Sequence, residues 1–259
     1  MVNVELALIF ILGLTVGSFL NVLIDRLPND KSILGRSYCD HCKKTLSWKD
    51  LIPVLSFVYL RGKCRYCHAP LSYQYPIVEL LTGLLFIATY QFATLNFQLI
   101  YYLLIVSSLI VVFFADLKYG IIPDKILLPA IVVSLVYLTI STFYFPSSNV
   151  LHSISNHLLS AFGSFLFFLL LYLITKTQGM GFGDVKLSFL MGLILGFPGV
   201  VLAIYLAFLT GGLVGIILIL WKKKKLKSSV AFGPFLVVGV LLSLFFQGQI
   251  IEQILRLLN

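Results

Sequence analysis

The segment FFADLKYGIIPD, residues 113–124, places an aspartate at the end of a long apolar run. A second aspartate follows closely spaced glycines in GMGFGDVK, residues 179–186, just before another apolar run. A carboxylate at the border of a membrane segment costs on the order of a few kcal/mol unless it is paired, hydrated or used in chemistry. Asp116 and Asp184, two of only ten acidic residues in the chain, are therefore candidate functional residues.

The composition indicates a membrane protein, because 59% of the 259 residues are hydrophobic and the mean hydropathy is +1.02. A helix needs about 20 apolar residues to cross a hydrocarbon core of about 30 Å. The sequence predicts an all-α polytopic membrane protein with about eight transmembrane helices. The predicted spans are residues 4–24, 77–95, 98–115, 126–145, 157–175, 186–197, 199–221 and 231–247. The sixth is short, so it is either buried in the bundle or tilted against its neighbour.

The basic residues predict the orientation of the chain, because lysine and arginine accumulate in cytoplasmic loops. Eighteen of the 19 basic residues, including the cluster Lys222–Lys227, fall in loops on one side, and Arg256 is the exception. The first apolar run precedes its first basic residue, Arg26, which is unlike a cleaved signal peptide. We therefore expect a multi-pass protein of the cytoplasmic membrane with its N-terminus outside. The net charge of +9 reflects this topology, with membrane lipids as neighbours and no nucleic-acid partner.

The only long polar segment, residues 26–75, contains all four cysteines as two C-x2-C pairs. Pairs at this separation predict a tetrahedral zinc site formed by Cys39, Cys42, Cys64 and Cys67. A disulfide framework is the alternative, but a cytoplasmic loop lies in a reducing compartment, where disulfides rarely persist. Four thiolates leave no open position on the metal, so a structural role that supports folding of the loop is expected.

The two aspartates also have simpler interpretations. Asp184 could cap the helix that follows it, as Asp124 after Pro123 is expected to do for the fourth span. Asp116 could mark only a helix end. These interpretations weaken when the two acids are considered together, because both lie at the cytoplasmic boundary beside glycine-containing turns.

Peptide hydrolysis offers a chemical explanation for such a pair. Two carboxylates in one site share a proton, so the ionised member can activate water while the protonated member polarises the scissile carbonyl. In this interpretation Asp116 and Asp184 are the catalytic residues. Gly181 and Gly183 would let a substrate backbone lie alongside the loop.

With these motifs the chain resembles the bacterial type IV prepilin peptidases, which are membrane aspartic proteases with a GxGD motif. The resemblance extends almost from end to end. Besides the cysteine pairs and the two aspartate segments, it is carried by GSFLNVLIDRLP at 17–28, DLIPVLSFVYLRGKCRYC at 50–67, YPIVELLTG at 75–83 and AFGPFL at 231–236. Asp25 and Gln74 depart from the family pattern, which more often has tyrosine and arginine there.

The resemblance implies a bifunctional enzyme. Such an enzyme removes a short basic leader from type IV prepilins or pseudopilins after a glycine, at the cytoplasmic face. It then N-methylates the new N-terminal residue with S-adenosylmethionine. The resemblance assigns methyl transfer to an N-terminal unit, residues 1–95, which holds the first two helices and the zinc loop. Residues 96–259 would form a six-helix aspartic peptidase domain.

Three points stay open from the sequence alone. Glu79 in the second span is a weak candidate for contact with the methyl donor or the substrate amine, but an acid near a helix N-terminus is also favoured by the macrodipole. A peptidase without methyl transfer is one alternative function. A non-catalytic, zinc-stabilised membrane scaffold or transporter is the other, although transport acids more naturally lie near the bilayer midplane.

Overall fold

The computed structural model describes residues 2–93, 96–144, 150–175, 180–220 and 231–258. The Lys222–Lys227 cluster, Lys176 and Gly179 lie outside the described residues. Among those described, the chain forms nine α-helices and no β-strand. The helices are α1 (Val2–Arg26), α2 (Leu55–Tyr59), α3 (Gln74–Phe92), α4 (Asn96–Tyr119), α5 (Asp124–Tyr144), α6 (Val150–Ile174), α7 (Phe182–Leu195), α8 (Gly199–Leu220) and α9 (Gly233–Leu258).

The predicted all-α membrane architecture is confirmed. In the part of the chain that the structure describes, seven helices are long and apolar enough to cross a membrane, namely α1, α3, α4, α5, α6, α8 and α9. The predicted sixth span corresponds to α7, which has only 14 residues. At about 1.5 Å per residue it is about 21 Å long and falls short of the hydrocarbon thickness.

The short helix α7 is enclosed by protein. It packs against α5, α6, α8 and α9, and almost every side chain from Asp184 to Leu195 is buried. A helix that is apolar on all sides belongs in an interior. Of the two possibilities considered for the sixth run, burial in the bundle is the one observed.

Two compact units divide the chain, Met1–Val111 and Val112–Asn259. The division falls within α4, whereas the sequence suggested a boundary between residues 95 and 96. Both candidate catalytic aspartates belong to the second unit, and all four cysteines belong to the first.

Helices α1 and α3 of the first unit pack closely because both carry glycine at their contact. A methyl group on Gly13 would lie 2.6 Å from Cα of Gly83, and one on Gly17 would lie 2.7 Å from Cα of Glu79. Small residues allow membrane helices to approach backbone to backbone in this way. The buried Asn21 adds a polar contact between the two helices, since its amide donates to the carbonyl of Tyr75 at 3.1 Å.

The segment between α1 and α3 is held by local turns rather than by a large apolar core. Two isolated antiparallel bridges, Tyr38 with Thr45 and Lys63 with Pro70, each enclose one pair of cysteines. A single turn of 3-10 helix, Trp48–Asp50, and the short helix α2 lie between these bridges. The cysteine pairs are therefore presented on two small hairpin-like turns.

Candidate active site and metal centre

The four cysteines form one cluster. All four Sγ atoms lie within 4.8 Å of one another, and none is in a disulfide. Zinc–sulfur bonds of about 2.3 Å in a tetrahedron place the sulfur atoms about 3.8 Å apart. The Sγ atoms of Cys39 and Cys67 are 3.8 Å apart, which fits that geometry and is far too long for a disulfide.

The two cysteine turns have the same backbone pattern, which explains why their sulfur atoms converge. The N–H of Cys39 donates to the carbonyl of Lys44 at 3.0 Å, and that of Cys64 donates to Ala69 at 2.9 Å. Each pair therefore projects its two thiols from a tight turn closed five residues later. The chemistry and geometry of this donor set suit a structural zinc ion.

The histidines near the cysteines are not part of the cluster. His41 and His68 are exposed, and only the cysteines form a candidate metal group among the described residues. His68 has a positive φ of 56°, as Lys43 does at the matching place in the first turn, with φ 57°. Both positions serve the turn geometry.

Asp50 ties the 3-10 turn at Trp48–Asp50 to the second cysteine turn. Its carboxylate accepts hydrogen bonds from the backbone and hydroxyl of Ser47 and pairs with the guanidinium of Arg65, which lies inside the second C-x2-C pair. Partial burial acts to raise the pKa of Asp50, but the hydrogen bonds from Arg65 and Ser47 outweigh it and lower the pKa. The carboxylate therefore stays ionised and joins the 3-10 turn to the second cysteine turn.

Glu79 anchors this segment to α3. Its buried carboxylate accepts a 2.7 Å hydrogen bond from the backbone N–H of Val54, the residue before α2, and another from the hydroxyl of Ser18. Glu79 is the sixth residue of α3, beyond the first turn in which the macrodipole acts, so the macrodipole does not explain this acid. Its carboxylate instead satisfies the N–H of Val54 at the start of α2.

In the second unit, Asp116 and Asp184 come together although 68 residues separate them. Both are buried, with 6% of each residue exposed, and their carboxyl groups are close enough to interact electrostatically. Asp116 lies in the last turn of α4, where its carbonyl accepts the N–H of Gly120, a residue with φ +66° that ends the helix. Asp184 lies in the first turn of α7. The C-terminal end of α4 and the N-terminal end of α7 thus each contribute one carboxylate to the pair.

Asp184 is the third residue of α7 rather than its N-cap. Its Oδ2 accepts the backbone N–H of Gly181 at 3.2 Å, which is the glutamate-like half of a capping box. The residue lies outside the seven long spans. Burial, and then the charge of Asp116, raise the pKa of Asp184 to about 7 against the opposing hydrogen bond from Gly181. A cap alone would leave the proximity of Asp116 unexplained.

Asp116 has an unusual environment for a buried carboxylate. Its Oδ2 is buried and has no hydrogen-bond partner among the described residues. The backbone N–H of Gly233, the first residue of α9, faces the carboxyl group. A methyl group on Gly233 would lie 2.6 Å from this Oδ2, so only glycine allows the approach. A buried acceptor atom without a donor is expected where water or substrate completes the site.

Ile122 packs against the glycines at the starts of both α7 and α9. Its side chain lies 3.0 Å from where a methyl group on Gly183 would be, and 3.3 Å from the equivalent position on Gly233. The nearby Asp124 opens α5, and its carboxylate pairs with Lys186 on α7. Sequence reasoning did not assign functional roles to Gly233, Ile122 or Lys186. For Gly233 the sequence did offer a signal: the Gly-Pro pair predicts the start of a helix, because proline is favoured in the first helical turn.

The chain matches two family models that together cover most of it. Residues 11–92 match the Bacterial Peptidase A24 N-terminal domain, and residues 103–216 match the Type IV leader peptidase family. No solved structure matches the chain.

Curated relatives match over almost their full length. A protein of Bacillus subtilis (strain 168) is 33% identical, with 95% of this chain and 96% of the relative covered. A protein of Aeromonas hydrophila is 31% identical, with 94% and 91% covered, and one of Legionella pneumophila is 32% identical, with 93% and 91% covered. All three are named prepilin leader peptidase/N-methyltransferase.

Proposed function

Because the chain belongs to the type IV leader peptidase family, we propose that it removes the leader of prepilins or pseudopilins with Asp116 and Asp184. It then methylates the new N-terminus, in keeping with the N-methyltransferase activity in its relatives' names. The observation that carries the catalytic assignment is the unpartnered Oδ2 of Asp116 beside a second buried carboxylate. Neither a scaffold nor a helix cap accounts for that arrangement.

The two carboxylates have different surroundings and hence different roles. Asp116 faces the N-terminus of α9, where the backbone N–H of Gly233 and the helix dipole favour negative charge. Asp184 is buried beside that charge and holds the shared proton near neutral pH. Asp116 is therefore the general base and Asp184 the general acid.

The hydrolytic step follows from these roles. Asp116 accepts a proton from water as the water oxygen attacks the scissile carbonyl carbon, and Asp184 donates its proton to the carbonyl oxygen. In the collapse of the tetrahedral intermediate, Asp116 gives its proton to the departing amine and Asp184 takes back the hydroxyl proton. The carbon–nitrogen bond breaks and the dyad returns to its starting state.

The glycines of the second motif contribute in two ways. Gly181 has room beside it, since a methyl group there would meet only Asp184 and Gly183 at 3.7–3.9 Å. It can therefore accept a substrate backbone alongside. Gly183 is filled on its side-chain face by Ile122, so it also serves the packing that positions Asp184.

The first unit supports methyl transfer. A zinc ion held by Cys39, Cys42, Cys64 and Cys67 would cross-link the two turns, and the closed thiolate set gives it a structural role. The methyl donor is S-adenosylmethionine, and Glu79 is the candidate residue near its site or near the substrate amine. The buried position of Glu79 between α1, α2 and α3 supports a role in this unit.

The location follows from the distribution of charge. When α7 is counted as a crossing between α6 and α8, 18 of the 19 basic residues lie on one side, in loops or at helix ends. This distribution supports a position in the bacterial cytoplasmic membrane with the N-terminus outside. The catalytic pair then faces the cytoplasm, where a basic leader is accessible before export.

The test is incubation of the purified full-length protein with a synthetic prepilin peptide and S-adenosylmethionine, followed by mass spectrometry of the new N-terminus. Loss of the leader and the added mass of one methyl group are expected. The Asp116→Asn variant serves as the matched control. Equal cleavage by this variant and the unaltered protein would contradict the catalytic assignment, and cleavage without the methyl mass would support a peptidase that lacks methyl transfer.

A further inference from the structure

An apolar surface is exposed on α2 and on the residues before it. We call it the α2 surface. Its members are Trp48, Leu51, Ile52, Leu55, Val58 and Tyr59. Leu55, Val58 and Tyr59 follow helical i, i+3, i+4 spacing and are 68%, 66% and 79% exposed, so one whole face of α2 is uncovered. Large apolar side chains grouped in this way mark an interaction surface rather than ordinary exposed residues.

The opposite face of α2 carries the half-buried Phe57, which contacts neighbouring residues of the same segment. The ring of Phe57 lies 5.5 Å from that of Tyr73, just before α3, and its edge lies 3.1 Å from the side-chain position of Gly62. The helix is too short to reorient without breaking these contacts. Leu55, Val58 and Tyr59 therefore lie on the face of α2 that does not make these contacts.

The hydrogen bond between Glu79 and Val54 fixes the level of α2 relative to the membrane. Glu79 is the sixth residue of the span that begins at Gln74, about 7.5 Å along the helix axis from that residue. Its side chain reaches back toward the N-terminus of α3, as helical side chains do, and holds the backbone of Val54 at 2.7 Å. The start of α2 is thus held level with the first turns of a membrane span.

The charges around the surface favour the headgroup region of a bilayer. Lys49 follows Trp48 within the α2 surface, and Arg61 and Lys63 come after its last member; all three are exposed. No acidic residue occurs from 51 to 78, and Asp50 is already engaged by Arg65. Basic residues beside an apolar, tryptophan- and tyrosine-containing face are typical of elements that lie in the membrane interface.

We propose that the α2 surface lies in the interface of the leaflet from which α1 and α3 emerge, with its apolar side chains among the acyl chains and its basic residues at anionic phospholipid headgroups. The occupant is lipid rather than protein, because the level set by Glu79 and the flanking positive charge both suit a bilayer edge. The segment carrying the cysteine turns is then held against the membrane instead of projecting freely into water.

Depth-dependent fluorescence quenching tests this placement. Tyr59→Trp is introduced into the full-length protein with the two native tryptophans, Trp48 and Trp221, replaced by phenylalanine, and the protein is reconstituted in vesicles of phosphatidylglycerol and phosphatidylethanolamine. His41→Trp, at an exposed site between the first two cysteines, is the matched control. Zinc content and cleavage activity verify that both variants are folded.

The expected result is strong quenching of Tyr59→Trp by phospholipid with a nitroxide near the carbonyl end of its acyl chain. Its quenching by aqueous iodide should be several-fold weaker than that of His41→Trp. Iodide quenching as strong as in the control would place the face in water. Protection from both quenchers would mean that protein covers it. Either result overturns the proposal without affecting the assignment of the catalytic pair.

Discussion

Gly233 and Asp116 lie in direct contact, and the absence of a side chain at residue 233 is what admits the carboxylate. A methyl group there would lie 2.6 Å from Asp116 Oδ2 and 3.3 Å from Ile122. The Gly233→Ala variant must therefore displace the carboxylate from the N-terminus of α9.

For Gly233→Ala we expect cleavage to fall by about 100-fold, because a displacement of about 1 Å is enough to misplace a catalytic group. Initial rates on a prepilin peptide measure the effect. Gly163→Ala is the matched control, since that helical glycine has open space beside it and should tolerate alanine. Similar rates for both variants would show that the carboxylate tolerates displacement.

Asp116→Asn and Asp184→Asn should each lower the cleavage rate by about 10²-fold to 10⁴-fold, which is the usual contribution of a general acid or base. Asp124→Asn should retain most activity, because its exposed pair with Lys186 contributes only about 0–1 kcal/mol. Leader removal is followed by gel shift or mass spectrometry. Inactive Asp124→Asn with normal membrane insertion would assign that residue a larger role.

The rate of cleavage should depend on pH in a bell-shaped manner. The pKa of Asp184 is raised to about 7 by burial and by Asp116, so its catalytic proton is present below that pH and lost above it. The rate should therefore decline above about pH 7, and also at low pH once the base Asp116 is protonated. The measurement is a profile of kcat/KM against pH on a soluble peptide. A kcat/KM that stays constant from about pH 6 to about pH 9, roughly one unit below that pKa to two units above it, would argue against Asp184 as the acid.

Purified protein should contain about one zinc ion per chain, as a four-cysteine site requires. Cys39→Ser and Cys64→Ser should lose the metal, loosen residues 26–75 and reduce methylation more than cleavage, because the aspartates belong to the other compact unit. His41→Ala should retain zinc. Elemental analysis with separate assays of leader removal and methyl addition tests this, and equal loss of both activities would indicate one cooperative site.

Substitutions at Glu79 distinguish anchoring from direct contact with the methyl donor or amine. Glu79→Gln keeps an oxygen that can accept the N–H of Val54, whereas Glu79→Ala leaves that N–H unpaired at a cost of about 1–3 kcal/mol. If anchoring is the main role, Glu79→Gln should methylate pre-cleaved peptide nearly normally and Glu79→Ala should not. Equal loss in both variants would favour a role for the negative charge itself.

Local features of the sequence determined the membrane class, the four candidate zinc ligands and the two candidate acids. The length of an apolar run decides whether a helix can span a bilayer, and a C-x2-C pair presents two thiols from one turn whatever surrounds it. These properties depend on neighbouring residues only. They could therefore be predicted for α1 or for Cys39 without knowledge of the packing.

Tertiary packing alone decided which residues surround those groups. The approach of Gly233 to Asp116 joins positions 117 residues apart, and the Glu79–Val54 bond joins α3 to a segment before it. The enclosure of α7 on all sides likewise explains how a 14-residue helix can hold Asp184 in the interior. Contacts between distant elements depend on how whole helices pack, and no local spacing in the chain encodes them.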